Sequence, residues 1–113
     1  MERASTAYAA DRFADAAEYA RVALDLGATA AQKGELLALR GESLLRAGQP
    51  QRAREAFETV IVELADSPYR AQALSGSARA SDALGDSASA AGRRATLQKD
   101  FADTPWAKAG TGS

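Results

Sequence analysis

The chain has 113 residues, enough for one domain, and its 14 basic and 15 acidic residues leave a net charge of −1. Such a balance lacks the positive charge typical of proteins that bind nucleic acid or anionic membrane surfaces. Cysteine and histidine are both absent, which excludes disulfides, common structural zinc sites and histidine-based catalysis. No apolar run approaches a membrane span or a signal sequence. We therefore expect no membrane insertion, and the compartment, cytoplasmic or periplasmic, stays open.

Hydrophobic spacing predicts an all-α chain. Apolar and small residues recur at intervals of three and four, as on one face of a helix, and no segment alternates with the period of two typical of strands. Short loops make consecutive helices antiparallel. The predicted helices span, in chain order, residues 3–10, 12–26, 30–47, 50–65, 68–84 and 86–102, and a seventh begins at Pro105. Residues 1–109 form one predicted domain, and 110–113 are predicted to be a flexible tail.

The predicted helix ends carry residues that satisfy free backbone groups. A hydroxyl or carboxylate before a helix accepts hydrogen bonds from its first amides, proline fits the first helical position, and glycine fits the position after the last turn. A threonine followed three residues later by glutamine forms a capping box. The residues with these roles are Thr29 with Gln32, Gly48 with Pro50, Ser67 with Pro68, Gly85 with Asp86, and Thr104 with Pro105.

The chain also resembles itself. Pro68-Tyr69 recurs 37 positions later as Pro105-Trp106. The same offset relates further positions of similar character: Asp11, Gly48 and Gly85; Ala4, Gly41 and Ala78; Ala16, Ala53 and Ala90. A fixed period of this length is typical of arrays of stacked helix pairs. The three units span approximately residues 1–29, 30–66 and 67–103. Residues 105–109 are the beginning of a closing helix.

The middle unit resembles the tetratricopeptide repeat. The residues that match the family's pattern are Leu37, Gly41, Leu44, Ala53, Phe57 and Val60. Pro68 matches the family's closing proline three residues late, so the unit resembles the longer repeats of bacterial proteins. This resemblance implies a right-handed α-solenoid of about three antiparallel helix pairs, in which Phe57 packs toward Leu74 and Ala78 of the next unit.

The third unit departs from the repeat pattern. Arg94 stands where the middle unit has Phe57, and a buried unpaired arginine is very costly, so we expect Arg94 to face solvent. The array would then end here, with Trp106 folding back as a lid. Gly76 lies inside a predicted helix and costs about 1 kcal/mol relative to alanine. The alternative is therefore a third unit that is frayed or ordered by a partner.

The resemblance implies a binding groove lined by the first helix of each pair. The positions it assigns to the groove are Ser5, Tyr8, Ala9, Ala38, Glu42, Leu45, Arg46, Ser75, Arg79 and Asp82. Arg46 and Arg79 could hold a partner carboxylate in bidentate pairs, and Tyr8 could supply aromatic contact. The alternative is that these are solvated residues paired within their own helices, Glu42 with Arg46 and Arg79 with Asp82.

These observations predict a protein that is not an enzyme. The candidate interface residues are Tyr8, Glu42, Leu45, Arg46, Arg79 and Asp82, and no catalytic, cofactor-binding or metal-binding residue is predicted. The resemblance implies an adaptor or scaffold that binds a helix or peptide of another protein, without nucleic acid. The alternative is that the chain is a module of a larger bacterial protein and associates with further copies of itself to form a homo-oligomer.

Overall fold

Seven α-helices joined by short loops make up the computed structural model of the chain, which describes residues 2–111 and the side chains of residues 3–108. Within these residues there is no strand, so the predicted all-α class is confirmed. The helices are α1 Glu2–Ala9, α2 Phe13–Asp25, α3 Ala30–Arg46, α4 Pro50–Glu63, α5 Arg70–Ala83, α6 Ser87–Asp100 and α7 Pro105–Thr111.

Most helix ends carry the predicted caps. The Thr29 hydroxyl accepts a hydrogen bond from the Gln32 amide at 3.2 Å, and the Gln32 side chain accepts one from the Thr29 amide at 3.0 Å, which completes the capping box. Asp86 caps α6 by accepting from the Ser89 amide. The Thr104 hydroxyl accepts from the Ala107 amide at the start of α7. These local signals set where three of the helices begin.

One predicted cap is wrong, because α5 begins at Arg70 and not at Pro68. The Arg70 amide donates to the Ser67 carbonyl at 3.1 Å, and the Tyr69 amide donates to the Ser67 hydroxyl at 3.1 Å. Residues 67–70 therefore form a turn. The φ angle of proline suits the second position of such a turn as well as the first position of a helix, and the local sequence does not distinguish these two roles.

The last helix, α7, continues through Thr111, past residue 109 at which the predicted domain ends. A helix that starts at Pro105 must include at least four further residues before it can form its first backbone hydrogen bond between residues four positions apart. The remaining tail positions, 112 and 113, lie outside the described residues.

Each helix packs against the next, and the odd-numbered helices also contact one another in the order α1, α3, α5 and α7. Small residues lie at the close approaches, as the repeat predicts. Ala4 and Ala78 are buried with Gly41, and Ala16, Ala53 and Ala90 are buried on the second helix of each pair. Alanine and glycine at these positions allow the helix backbones to come close enough to bury the few large side chains.

Phe57 of α4 occupies the centre of the core with no exposed surface. Gly41 of α3 and Gly76 of α5 lie against its ring. Leu44 and Leu74 belong to the same buried apolar cluster. α5 is a continuous helix through this region. The helix includes Gly76 without interruption, and most of its small side chains are buried.

Candidate binding groove

A cavity of about 640 Å³ opens on the side of the molecule formed by the odd-numbered helices. We call it the groove. It is lined by Ser5 and Tyr8 of α1; Glu35, Ala38, Leu39, Glu42 and Arg46 of α3; Gln72, Ser75 and Arg79 of α5; Arg94 and Leu97 of α6; Trp106 of α7; and Tyr69 before α5. Its volume lies in the range of ordinary ligand sites.

The wall contributed by α3 is one continuous face of that helix. Its lining residues begin at Glu35 and recur at intervals of three and four up to Arg46, which is the spacing of side chains on one helix face. Ala38 is buried, and Leu39 lies half-buried between the two charged ends. The wall is therefore apolar in the middle and charged at both ends.

Four of the six candidate interface residues line the groove: Tyr8, Glu42, Arg46 and Arg79. Leu45 does not, because it is rotated about 100° from Arg46 around the helix and packs half-buried against the main core. Asp82 is exposed and binds Arg94 without lining the cavity. Of the other positions assigned to the groove, Ser5, Ala38 and Ser75 line it and Ala9 does not.

Sequence reasoning missed several lining residues, notably Glu35, Leu39, Gln72 and Trp106. The helical period extended backwards from Glu42 could have identified Glu35 and Leu39, since they lie seven and three positions earlier on the same face. Trp106 carried no such signal. Its position depends on how α7 packs against α5 and α6.

The ion pairs in the groove connect different helices and not residues of one helix. Arg79 donates to both carboxylate oxygens of Glu42 at 2.6 and 3.1 Å, which joins α5 to α3. Arg94 of α6 donates to Asp82 of α5 at 2.5 Å. The predicted pairings of Glu42 with Arg46 and of Arg79 with Asp82 are therefore wrong. Packing brings a closer partner from a neighbouring helix to each carboxylate.

Arg94 was expected to face solvent, and its side chain is 42% exposed. Asp82 neutralises its charge, so the guanidinium avoids the cost of burial without a partner. The same side chain also lines the groove, which sequence reasoning did not anticipate.

Arg46 has a different environment from the other two groove arginines. No carboxylate among the described side chains lies within ion-pair distance of it. Its guanidinium carbon lies 5.9 Å from the ring centre of Tyr8 and 5.6 Å from that of Phe13. The two rings meet edge to face at 5.2 Å. Cation–π attraction thus holds the side chain in place while its edge stays open to a ligand.

A second polar cluster joins α4, α5 and α6 through residues that do not line the groove. Arg93 donates to both oxygens of Glu58, and the Ser77 hydroxyl donates to Glu58 at 2.6 Å. Arg54 donates to Asp86 at 3.1 Å. Hydrogen bonds from the Ser89 hydroxyl and amide, with a smaller contribution from Arg54, hold the pKa of Asp86 below its ordinary value. Every charge in this cluster has a partner, and the two ion pairs connect α4 with α6 and its N-cap.

The described residues contain no cluster of acidic side chains arranged to hold a metal ion. Among the same residues, no helix combines the length and apolar character needed to cross a bilayer. None of the protein-family models, curated proteins or solved structures compared with the chain gives a significant match.

Proposed function

We propose that the chain is an adaptor module of the tetratricopeptide-repeat type, a right-handed α-solenoid of three helix pairs that binds a helix or peptide of a partner protein in the groove. The regularity of the loops supports a repeat array. Asp11, Gly48 and Gly85, which are related by the 37-residue offset, all have positive φ angles of 61°, 79° and 77°. The same backbone turn therefore follows the first helix of each pair.

The observation that carries the binding function is the guanidinium of Arg46, which lines an open, partly apolar groove and has no ion-pair partner among the described side chains. The other two arginines of the groove are neutralised by Glu42 and Asp82. A partner that contributed an acidic group at Arg46 would form a charge-assisted hydrogen bond, and its apolar residues would cover Ala38 and Leu39. Tyr8 and Trp106, which also line the cavity, are residue types that often anchor interfaces.

The test compares proteins captured from a bacterial lysate by the wild-type chain, by Arg46→Glu and by Arg12→Glu. Arg12 is exposed and has no ion pair among the described residues, so Arg12→Glu is a control with the same change in charge. We expect a protein that wild type and Arg12→Glu retain and Arg46→Glu loses. Equal recovery by all three baits would place binding elsewhere. Arg79→Glu is unsuitable, because it would set a second carboxylate against Glu42.

Self-association is a second candidate function, and exposed apolar residues on α2 and at its C-cap favour it. Tyr19, Val22 and Leu26 follow one another at helical spacing and are 36%, 41% and 81% exposed. A row of this kind can be covered by another copy of the chain. We expect the wild type to sediment as a monomer if the adaptor proposal is right. A dimer that dissociates in Val22→Lys, with Ala95→Lys on the exposed surface of α6 as control, would favour self-association.

A further inference from the structure

Two charges of the groove lack a partner among the described side chains, and they lie at opposite ends of the α3 face that lines the groove. Among the described side chains, Arg46 lies over the rings of Tyr8 and Phe13 and makes no ion pair, and Glu35 takes part in no ion pair or side-chain hydrogen bond. Both line the cavity, and the carboxylate between them, Glu42, is already occupied by Arg79. An occupant of the groove therefore meets one free positive charge and one free negative charge.

The helix geometry sets the spacing of these two charges. Glu35 and Arg46 are 11 positions apart, which places them about 16 Å apart along α3 and only about 20° apart around it. Opposite charges on an occupant that lies along α3 must have the same axial separation. In an occupant helix, that separation is again 11 residues.

The size of the cavity limits which part of an occupant enters it. A helix segment of this length has a cylinder volume of about 1,500 Å³, including its side chains. The cavity holds about 640 Å³, so it accommodates one face of such a helix and leaves the other face in solvent. The floor between the two charges, formed by Ala38 and Leu39, requires apolar residues on the face that enters.

Helix electrostatics then decide the direction of the occupant. Acidic residues stabilise the N-terminal turn of a helix and basic residues its C-terminal turn. An occupant with its acidic residue at Arg46 and its basic residue at Glu35 satisfies this preference only when its N-terminus lies beside Arg46. It would then run antiparallel to α3, with the acidic residue preceding the basic residue in its sequence.

From these contacts we infer that the groove takes an amphipathic helix that runs antiparallel to α3 and carries an acidic residue 11 positions before a basic residue, with apolar residues on the face between them. The acidic side chain binds the edge of the Arg46 guanidinium while Tyr8 and Phe13 support its face. The basic side chain binds the Glu35 carboxylate. This inference rests on the proposed function and adds the chemistry and direction of the partner.

The test is a selection from displayed random 20-residue peptides on three immobilised forms of the chain: wild type, the charge-swapped Glu35→Lys/Arg46→Glu, and the control swap Glu55→Lys/Arg12→Glu. Glu55 and Arg12 are exposed, do not line the groove and make no ion pair among the described residues. Circular dichroism establishes that the three forms are equally helical. If the charge-swapped form is less helical, Glu35→Gln/Arg46→Gln replaces it.

We expect wild type and the control to enrich peptides with an acidic residue 11 positions before a basic one, and the charge-swapped form to enrich the reverse order. The neutral form, if used, should show no preference for either order. A peptide selected on wild type should bind the charge-swapped form about tenfold more weakly by fluorescence anisotropy, since two exposed attractive pairs become repulsive.

Enriched peptides with no charge order, or with charges about five residues apart as an extended chain requires, would overturn this inference and leave groove binding intact. Enrichment on none of the three forms would overturn groove binding as well.

Discussion

At the scale of single residues, Gly41 and Gly76 are needed for the packing of Phe57. A Cβ atom added at Gly76 would lie 2.4 Å from Cζ of the ring, and one added at Gly41 would lie 2.6 Å from it. Both distances are far below van der Waals contact. Glycine inside a helix normally lowers stability, but at these positions it makes room for the largest buried side chain of the core.

The first prediction is that Gly76→Ala lowers the free energy of unfolding by about 1–3 kcal/mol, the cost of overpacking a core, although alanine is the better helix former. Gly92→Ala is the matched control, because it is also inside a helix and a Cβ there meets no atom within 4 Å. That variant should gain about 0.5–1 kcal/mol. Urea denaturation measures both changes.

A second variant separates steric overlap with Phe57 from other causes. Phe57→Leu removes part of the ring that Cβ would meet, so Gly76→Ala should cost less in that background than in the wild type. The same cost in both backgrounds would mean that the ring is not the obstacle.

The second prediction concerns Asp11, the one described non-glycine residue with a positive φ angle, 61°. The left-handed region is unfavourable for residues with a Cβ atom and favours glycine. We expect Asp11→Gly to raise the free energy of unfolding by about 0.5–1 kcal/mol. Asp103→Gly should lower it, because Asp103 is an exposed turn residue with no positive φ. Thermal unfolding of both variants at one pH provides the comparison, and a loss of stability in Asp11→Gly would contradict the prediction.

At the scale of elements, the N-terminus of α6 joins a local cap to a contact between helices. Asp86 accepts hydrogen bonds from the Ser89 amide at 3.2 Å and from the Ser89 hydroxyl at 2.7 Å. It also accepts one from Arg54 of α4. The first two contacts follow from the local sequence, and the third requires α4 and α6 both to pack against α5, so that the Arg54 side chain reaches the start of α6.

The third prediction is a pH dependence that arises at this cap. The pKa of Asp86 in the folded chain is below its ordinary value of 3.8, mainly because of the hydrogen bonds from Ser89. A lowered folded pKa stabilises the protein above the unfolded pKa, and this contribution disappears as the pH falls through the folded pKa. We expect wild type to be more stable than Asp86→Asn at pH 6 and the difference to shrink below pH 4, as measured by urea denaturation.

Asparagine remains a good N-cap, so Asp86→Asn keeps the cap and removes only the charge. Ser89→Ala removes the largest cause of the pKa shift and should reduce the pH dependence of the wild type. A difference between wild type and Asp86→Asn that stayed constant from pH 6 to pH 2 would contradict this account.

At the scale of the whole molecule, the apolar contacts divide into two clusters of unequal size. The larger cluster is centred on Phe57, Leu44 and Leu74 and reaches Leu97 and Ala107. The smaller consists of Ala4, Ala20 and Leu36 with partly buried neighbours. Because alanine buries little area, the N-terminal pair of helices is stabilised by few large buried side chains.

The fourth prediction is that α1 and α2 open before the rest of the chain. In stacked helix pairs each unit is stabilised mainly by its neighbours, so a weakly packed terminal pair opens at a lower free energy. Native-state hydrogen exchange should show lower opening free energies for the amides of α1 and α2 than for those of α4 and α5. Equal protection in all four helices would mean that the chain unfolds as one unit.

The sequence by itself determined the helical class, the helix boundaries to within two residues, most caps and the 37-residue offset between similar positions. These features depend on residues within about four positions of each other, or on small side chains that recur at a fixed interval. The face of α3 that contains Glu42 and Arg46 belongs to the same category, because helical period alone places those two residues side by side.

Only the tertiary structure decided which charges are paired and which are free. Glu42 pairs with Arg79 and not with Arg46, and Asp82 pairs with Arg94 and not with Arg79. These pairs join helices whose contact depends on packing, and several partners at helical spacing were equally compatible with the sequence. The packing of Phe57 between Gly41 and Gly76 could not be predicted from the sequence for the same reason, since it joins three different helices. A glycine that weakens an isolated helix stabilises the assembled one when a ring from another helix occupies the space of its absent side chain.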